Sequence, residues 1–330
     1  MKKVYGATIV FLIIDLFVVG TLCLVYGPLQ EMLMNKLVNN ENILYTLWNQ
    51  EDVWQEITSS DIEIFGNESL VQELSYKEEE LSKYEREILT KGENDEYKLI
   101  EMMIDGYQAY MVVVYDPANV ELIHSKTFNT GNSQETVINM CKRYGGLVCI
   151  NGGRFKDWGS GSDIPVGYII DDGKVIWPQD GDDTTKSKLI GLTDDHRLVL
   201  LNTTAREAIE AGINDALEFG PFLIVNGKEA TISNYAVGGY LGASRVAIGQ
   251  RKDGIILFLV ADGVHGNGVT IKSMIKTFQN YGAYNAANLD GGASSQLVIN
   301  GKLINHPKNI YGQAMTTGRR VVSGFGLILD

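Results

Sequence analysis

Cysteine and histidine are scarce in this chain. Its 330 residues include three cysteines (Cys23, Cys141, Cys149) and four histidines (His124, His196, His265, His306). Three cysteines are too few for a disulfide scaffold, and without a CxxC pair or an HExxH run there is no zinc signature. Basic charge is also short. The formal charge is −13, which excludes a general nucleic-acid binder because phosphate backbones need a basic face. The acid is concentrated: from Glu51 to Glu101 there are 16 acids against 5 bases, and the rest of the chain is almost neutral. An apolar share of 45% excludes a wholly disordered chain.

There is one long apolar run, Val4 to Tyr26, interrupted by a single charge at Asp15. At about 1.5 Å per residue it crosses a hydrocarbon core of roughly 30 Å. Lys2 and Lys3 precede it, so the positive-inside rule puts the N-terminus in the cytoplasm and everything after Gly27 outside. The run is longer than the apolar core of a cleaved leader. It leaves through Val25-Tyr26-Gly27-Pro28 rather than through a small-x-small site, and this predicts an uncleaved anchor over residues 1–27. Asp15 either serves a helix–helix contact or sits protonated or snorkelling in a single span.

Residues 28–98 hold the acidic excess. Leu70, Leu74, Leu81, Tyr84 and Ile88 fall near helical spacing among KEEE and YERE runs. The pattern predicts an acidic, helical stalk that holds the body off the membrane, with a heptad too short and broken for an extended coiled coil.

Residues 99–330 have a different texture. Tyr110 to Tyr115 is apolar and β-branched, then broken by Asp116-Pro117. Asp172-Gly173, Asn226-Gly227 and Asn300-Gly301 each sit between apolar runs and predict type I′ hairpins; Asp253-Gly254 is a fourth candidate. Helical stretches are predicted over 134–144, 204–211 and 270–281. The expected class is α+β: a mixed, hairpin-rich β-sheet domain with a few helices, not a doubly wound parallel sheet. A repeat runs through it. Val112–Asp116, a helix to Tyr144, Leu147–Ile150 and Asn151-Gly152-Gly153 match Ile255–Asp262, a helix to Tyr281, Ala283–Leu289 and Asp290-Gly291-Gly292. A pseudo-twofold would make the two Gly-Gly turns equivalent and let them face one cleft.

Paired glycines after a buried strand are costly unless the backbone bends sharply or a ligand comes close. Residues 288–295 add Asp290 and the hydroxyls of Ser294 and Ser295 at such a bend. The plainer alternative is a tight turn with Asp290 capping its own backbone. The matching Asn151-Gly-Gly-Arg-Phe155 favours a site.

The ordered set INGGRF (150–155), PVGYIIDDGKVI (165–176), GPFLIVNGK (220–228), SRVAIGQRKDG (244–254), ANLDGGASSQLVINGKLIN (287–305) and GRRVV (318–322) resembles the phosphodiester glycosidase family, the NAGPA type, over about residues 100–330. Bacterial members of this family are labelled exopolysaccharide-associated. Arg154 departs from the family pattern, in which an aromatic commonly follows NGG. The cysteine-rich regions of the animal enzyme are also absent, which points to a bacterial surface protein.

The resemblance implies hydrolysis of a sugar-1-phosphodiester, with a phosphodiester-linked sugar or glycopolymer as partner. A phosphomonoester leaving group, with a second pKa of roughly 6, needs little general-acid help, so one carboxylate suffices to attack the anomeric carbon or activate water. Asp290 is the first choice, Asp262 the second and Glu218 the third. Arg245 and Arg319, or Arg320 in its place, suit the phosphate because a guanidinium fork fits its oxygens. Ser294 and Ser295 offer hydroxyls. The amides at Gly152, Gly153, Gly291 and Gly292 can form an anion nest. Asn151 is expected to bond sugar hydroxyls or position water, and Arg154 to line the same cleft. Arg245 could instead be only an ion-pair partner and Asp262 only a turn residue. His265 and His306 read as surface or core histidines. Cys141 and Cys149 allow a disulfide or two buried thiols. Asp171-Asp172 fits a hairpin turn and Asp180–Asp183 a solvated loop, so no metal or other cofactor is expected. A glycan-binding module that kept the cleft, or a transferase using it, are the alternatives. The joint presence of Asp290, Asp262, Arg245 and the serines favours the hydrolase.

Overall fold

A computed structural model describes residues 81–90, 95–131, 135–156, 163–178, 183–232, 242–264, 266–309 and 311–329. The expected membrane run Val4–Tyr26 and the stalk up to residue 80 lie outside these residues. Among the described residues no helix is long and apolar enough to cross a membrane.

In chain order the elements are α1 (Lys83–Leu89), β1 (Tyr97–Ile104), β2 (Tyr107–Val114), β3 (Val120–His124), β4 (Glu135–Thr136), α2 (Val137–Tyr144) and β5 (Gly146–Asn151). Next come β6 (Ile169–Asp171), β7 (Lys174–Trp177), β8 (Ser187–Thr193), β9 (Leu198–Thr203), α3 (Ala205–Glu210), β10 (Ile213–Glu218), β11 (Phe222–Val225) and β12 (Lys228–Glu229). The chain closes with β13 (Arg245–Arg251), β14 (Ile256–Ala261), α4 (Ile271–Asn280), β15 (Ala283–Leu289), β16 (Leu297–Ile299), β17 (Lys302–Leu303), β18 (Arg320–Val321) and β19 (Ser323–Ile328). The class is the expected one: antiparallel sheets with few helices.

Each predicted helix starts at a threonine that caps it. Thr136, Thr204 and Thr270 accept hydrogen bonds from the amides of Asn139, Glu207 and Ser273. The three predicted Asx-Gly hairpins are present, with positive φ at both turn residues. Asp105-Gly106, between β1 and β2, makes a further turn of this kind. Asp253-Gly254 joins β13 to β14 in a longer turn, with positive φ at Gly254 alone of the two.

The main sheet runs β1-β2-β14-β13-β15-β11-β12 and is covered on both faces. In β2, Tyr110, Val112 and Val114 enter one core, while Ala109, Met111 and Val113 enter another beneath α4. This explains why Tyr110–Tyr115 reads as an unbroken apolar run: alternate residues are buried on opposite sides. Each valine or methionine among them contributes roughly 1.5–3 kcal/mol by leaving water. The second sheet is β17-β16-β5-β19-β3 and the third is β7-β6-β10-β8-β9. Both pack on the first core.

The repeat is present, with one correction to its membership. In the second sheet the order β3-β19-β5-β16-β17 matches β14-β13-β15-β11-β12 in the first, and every neighbouring pair is antiparallel. The first strand of the repeat unit is therefore β3, not Val112–Asp116, whose first three residues end β2 and pair with β14 instead. The hairpins are exchanged. β16–β17 follows β15 in the chain but pairs with β5, and β11–β12 pairs with β15.

The domain also begins earlier than residue 99, which falls inside β1. Ile88 of α1 is fully buried, its carbonyl accepts from the Tyr115 hydroxyl, and Tyr84 stacks edge-on against Tyr281, the residue that caps the end of α4. The described residues 81–90 and 95–98 thus pack with the body. Cys141 and Cys149 form a disulfide between α2 and β5.

Candidate active site

The two Gly-Gly turns meet. The Asp290 amide donates to the Gly152 carbonyl at 2.8 Å, and Asn151 Nδ2 donates to the Asp290 carbonyl at 2.7 Å. Asn151 Oδ1 accepts from the Gln296 amide at 2.9 Å. Asn151 is 1% exposed. Its amide therefore clasps the two halves together, in place of the sugar contact expected of it.

Close approach accounts for the glycines. A Cβ on Gly152 would lie 2.5 Å from Leu217 Cδ2, and one on Gly291 2.6 Å from the Ser244 carbonyl. Gly292 has φ +60°, which suits glycine.

Three candidates sit at one end of the main sheet. β13 begins at Arg245, directly opposite Ala261 at the end of β14. Val246 pairs with Leu289 at the end of β15. Register thus brings Arg245, Asp262 and Asp290 to the same edge. Arg245 is 4% exposed and donates Nε to the Val269 carbonyl at 3.1 Å. Burial pushes its pKa down to about 10, so it remains a cation at neutral pH. Asp262 Oδ1 accepts from Asn305 Nδ2 at 3.1 Å and from the His306 amide at 2.9 Å; its Oδ2 lies 3.4 Å from His306 Nδ1. Asp262 is therefore a carboxylate held in place by its neighbours.

Glu218 flanks the other side of the Asn151 turn. Its carbonyl accepts from the Arg154 amide at 3.1 Å, and its Oε2 is 3.5 Å from Arg154 Nε. The carboxylate is buried and Oε2 has no hydrogen-bond partner. Burial raises its pKa, while Arg154 and Lys188 pull against that shift. Arg154 itself is half exposed and lies over the Phe219 ring at 5.4 Å.

The remaining candidates divide. Arg319 lies over the Phe155 ring at 5.1 Å, beside the Asn151 turn, while Arg320 pairs with Thr136 in the small β4–β18 sheet and is exposed. Ser294 and Ser295 are 2% and 0% exposed, so the hydroxyls expected to bind substrate lie below the surface. Gly153 donates its amide to Ser323 Oγ at 3.2 Å. His265 lies outside the described residues. Among those residues no group of three or more His, Cys, Asp or Glu could hold a metal.

Sequence reasoning missed Asn305, Gln296 and Asn288. Asn305 links Asp262 to the Ser295 carbonyl, and Gln296 Nε2 donates to the Ser294 and Arg319 carbonyls. Asn288, 1% exposed, donates Nδ2 to the Gly220 carbonyl. All three lie within the long motif 287–305, Asn288 in β15 and the other two beside short strands, but a polar residue there gives no signal of what it will face.

The phosphodiester glycosidase family model, NAGPA, matches residues 144–328. The SPbeta prophage-derived uncharacterized protein YomE of Bacillus subtilis (strain 168) is 32% identical over 189 residues, which is 55% of this chain and 28% of that protein. This chain therefore spans under a third of that relative's length. The catalytic domain of zebrafish N-acetylglucosamine-1-phosphodiester alpha-N-acetylglucosaminidase, auto-inhibited by its pro-peptide, superposes with a TM-score of 0.60 at 19% identity, covering 73% of this chain and 86% of that one. The fold is shared at that distance, and the family model covers more than half of the sequence: the chain belongs to the phosphodiester glycosidase family.

Proposed function

We propose that the protein is an extracellular hydrolase that cleaves a sugar-1-phosphodiester in a cell-surface glycan, anchored by Val4–Tyr26 with its N-terminus in the cytoplasm. The observation that carries the reading is the junction of the two turns, which fixes Asp290 at the same sheet edge as the buried Arg245. The name of the zebrafish relative supports the substrate class.

In this reading Asp290 attacks the anomeric carbon or takes a proton from the attacking water. The bond from that carbon to the phosphate oxygen breaks, the sugar gains the water's hydroxyl, and the phosphate leaves as a monoester. Its low proton affinity lets it leave without a dedicated acid. Arg245 offers fixed positive charge to the departing phosphate, in a site where burial makes the charge count for more than in water. Asp262, oriented by Asn305, is the second carboxylate. The Cys141–Cys149 disulfide suits an oxidising exterior.

The test is to incubate the full chain with a panel of sugar-1-phosphodiesters and measure released sugar. Release from at least one member is expected; saturable binding with no release from any would favour a glycan-binding module. Protease added to intact, wall-stripped cells should degrade the domain. Digestion only after lysis would contradict the orientation.

A further inference from the structure

Arg154 is a half-exposed cation beside the turn junction. It follows the Asn151-Gly152-Gly153 turn, so its Cα lies within about 7 Å along the chain of the Gly152 carbonyl that accepts from Asp290. Its guanidinium face rests on Phe219, 5.4 Å from the ring centroid, and Phe219 is itself 8% exposed. Its Nε edge is turned to Glu218 Oε2 at 3.5 Å, too poorly placed for a hydrogen bond. The side chain of Glu218 is 8% exposed and that of Arg154 is 50% exposed. The counter-ion is thus buried behind the cation, and the cation is presented outward. Among the described residues, the guanidinium N–H groups have no hydrogen-bond partner. A planar fork with its face packed, its charge anchored from behind and its outer donors unpartnered among the described residues suits oxyanion recognition.

In the proposed reading, Arg245 at the sheet edge takes the scissile phosphate. We propose that Arg154 is a specificity-determining residue that reads a second oxyanion on the substrate, beside the scissile phosphodiester. This inference rests on the sugar-phosphate reading of the cleft. It narrows the substrate class to sugars carrying a further acidic group: the neighbouring phosphate of a phosphodiester-linked polymer or the carboxylate of a uronic acid. Glu218 then serves as the tether. It keeps the guanidinium on Phe219 when no substrate is bound, and it is raised toward protonation by its burial and lowered by Arg154 and Lys188.

The test is calorimetric binding of three probes to the full chain: glucose 1-phosphate, glucose 1,6-bisphosphate and glucuronic acid 1-phosphate. The native protein should bind at least one doubly acidic probe ~10-fold or more tighter than glucose 1-phosphate, the scale of a charge-assisted pair. A preference for the bisphosphate alone identifies a neighbouring phosphate, and a preference for the glucuronate alone identifies a carboxylate. Arg154→Gln would strand a buried carboxylate and could unfold the domain, so it is made together with Glu218→Gln. The double variant should lose the preference, to less than ~2-fold, and Arg154→Lys should keep only part of it because the fork is gone. Equal binding of the three probes by the native protein, no binding of any, or an undiminished preference in the double variant overturns the proposal. Turnover of a sugar-1-phosphodiester without this preference would leave the hydrolase reading standing and remove Arg154 from it. Preference without turnover would do the reverse.

Discussion

The hydrogen bonds that join Asp290 to the Asn151 turn run through its backbone N–H and carbonyl, not through its carboxylate. Asp290→Asn should therefore leave the junction in place while removing the negative charge. Turnover is expected to fall by at least ~10²-fold with the thermal midpoint little changed; near-normal turnover would shift the chemistry to Asp262. Arg245→Lys keeps a cation but loses the planar fork and the Nε bond to the Val269 carbonyl. Its expected signature is a raised KM with a smaller change in kcat, separable by steady-state kinetics. A kcat loss as large as that of Asp290→Asn would place Arg245 in the chemical step itself.

Among the elements, the turn pair carries the most structure per residue. Asn151→Ala would strand the Asp290 carbonyl and the Gln296 amide in a buried setting. At about 1–3 kcal/mol per unsatisfied group, a loss of roughly 2–6 kcal/mol is expected in denaturant unfolding. Gly291→Ala should also destabilise, since its Cβ would meet the Ser244 carbonyl at 2.6 Å and backbone cannot give way as a side chain can. Much of this was legible in the sequence. The Asx-Gly hairpins announce themselves because few residues accept positive φ, and the doubled Asn/Asp-Gly-Gly after a strand marks two places where backbones crowd. The exchange of hairpins between sheets was not legible, because Leu223–Lys228 and Leu297–Lys302 carry the same local pattern whichever sheet they join. The identity of the first repeat strand was hidden for a related reason. Val112–Asp116 is more apolar than Val120–His124 because β2 is buried on both faces, so strength of pattern pointed to the wrong strand. The clasp at Asn151 was not legible either, because an exposed sugar-binding amide and a buried clasp look alike in sequence.

Across the whole molecule, the sheets are tied together by a buried acid away from the cleft. Asp215 of β10 accepts from the Leu122 amide of β3 and the Asp172 amide of the β6–β7 turn, joining the third sheet to the second. Burial, reinforced by the Asp171 and Glu121 charges and opposed by those two amide bonds, pushes its pKa up to about 6. The folded state thus holds this proton more tightly than the unfolded chain, whose aspartates titrate near 3.9. The stabilisation it brings is complete below about pH 4 and is lost as pH rises through about 6. It amounts to at most about 3 kcal/mol. Unfolding free energies measured between these limits should show the decline in the native protein and its flattening in Asp215→Asn. The central claim, however, concerns which bond the cleft breaks. Hydrolysis of a sugar-1-phosphodiester in heavy-oxygen water, followed by mass spectrometry of both products, reads this directly. The account predicts the label in the anomeric hydroxyl of the released sugar and none in the phosphate monoester. Label in the phosphate would mean attack at phosphorus, and would contradict the assignment of Asp290 to the anomeric carbon or its attacking water.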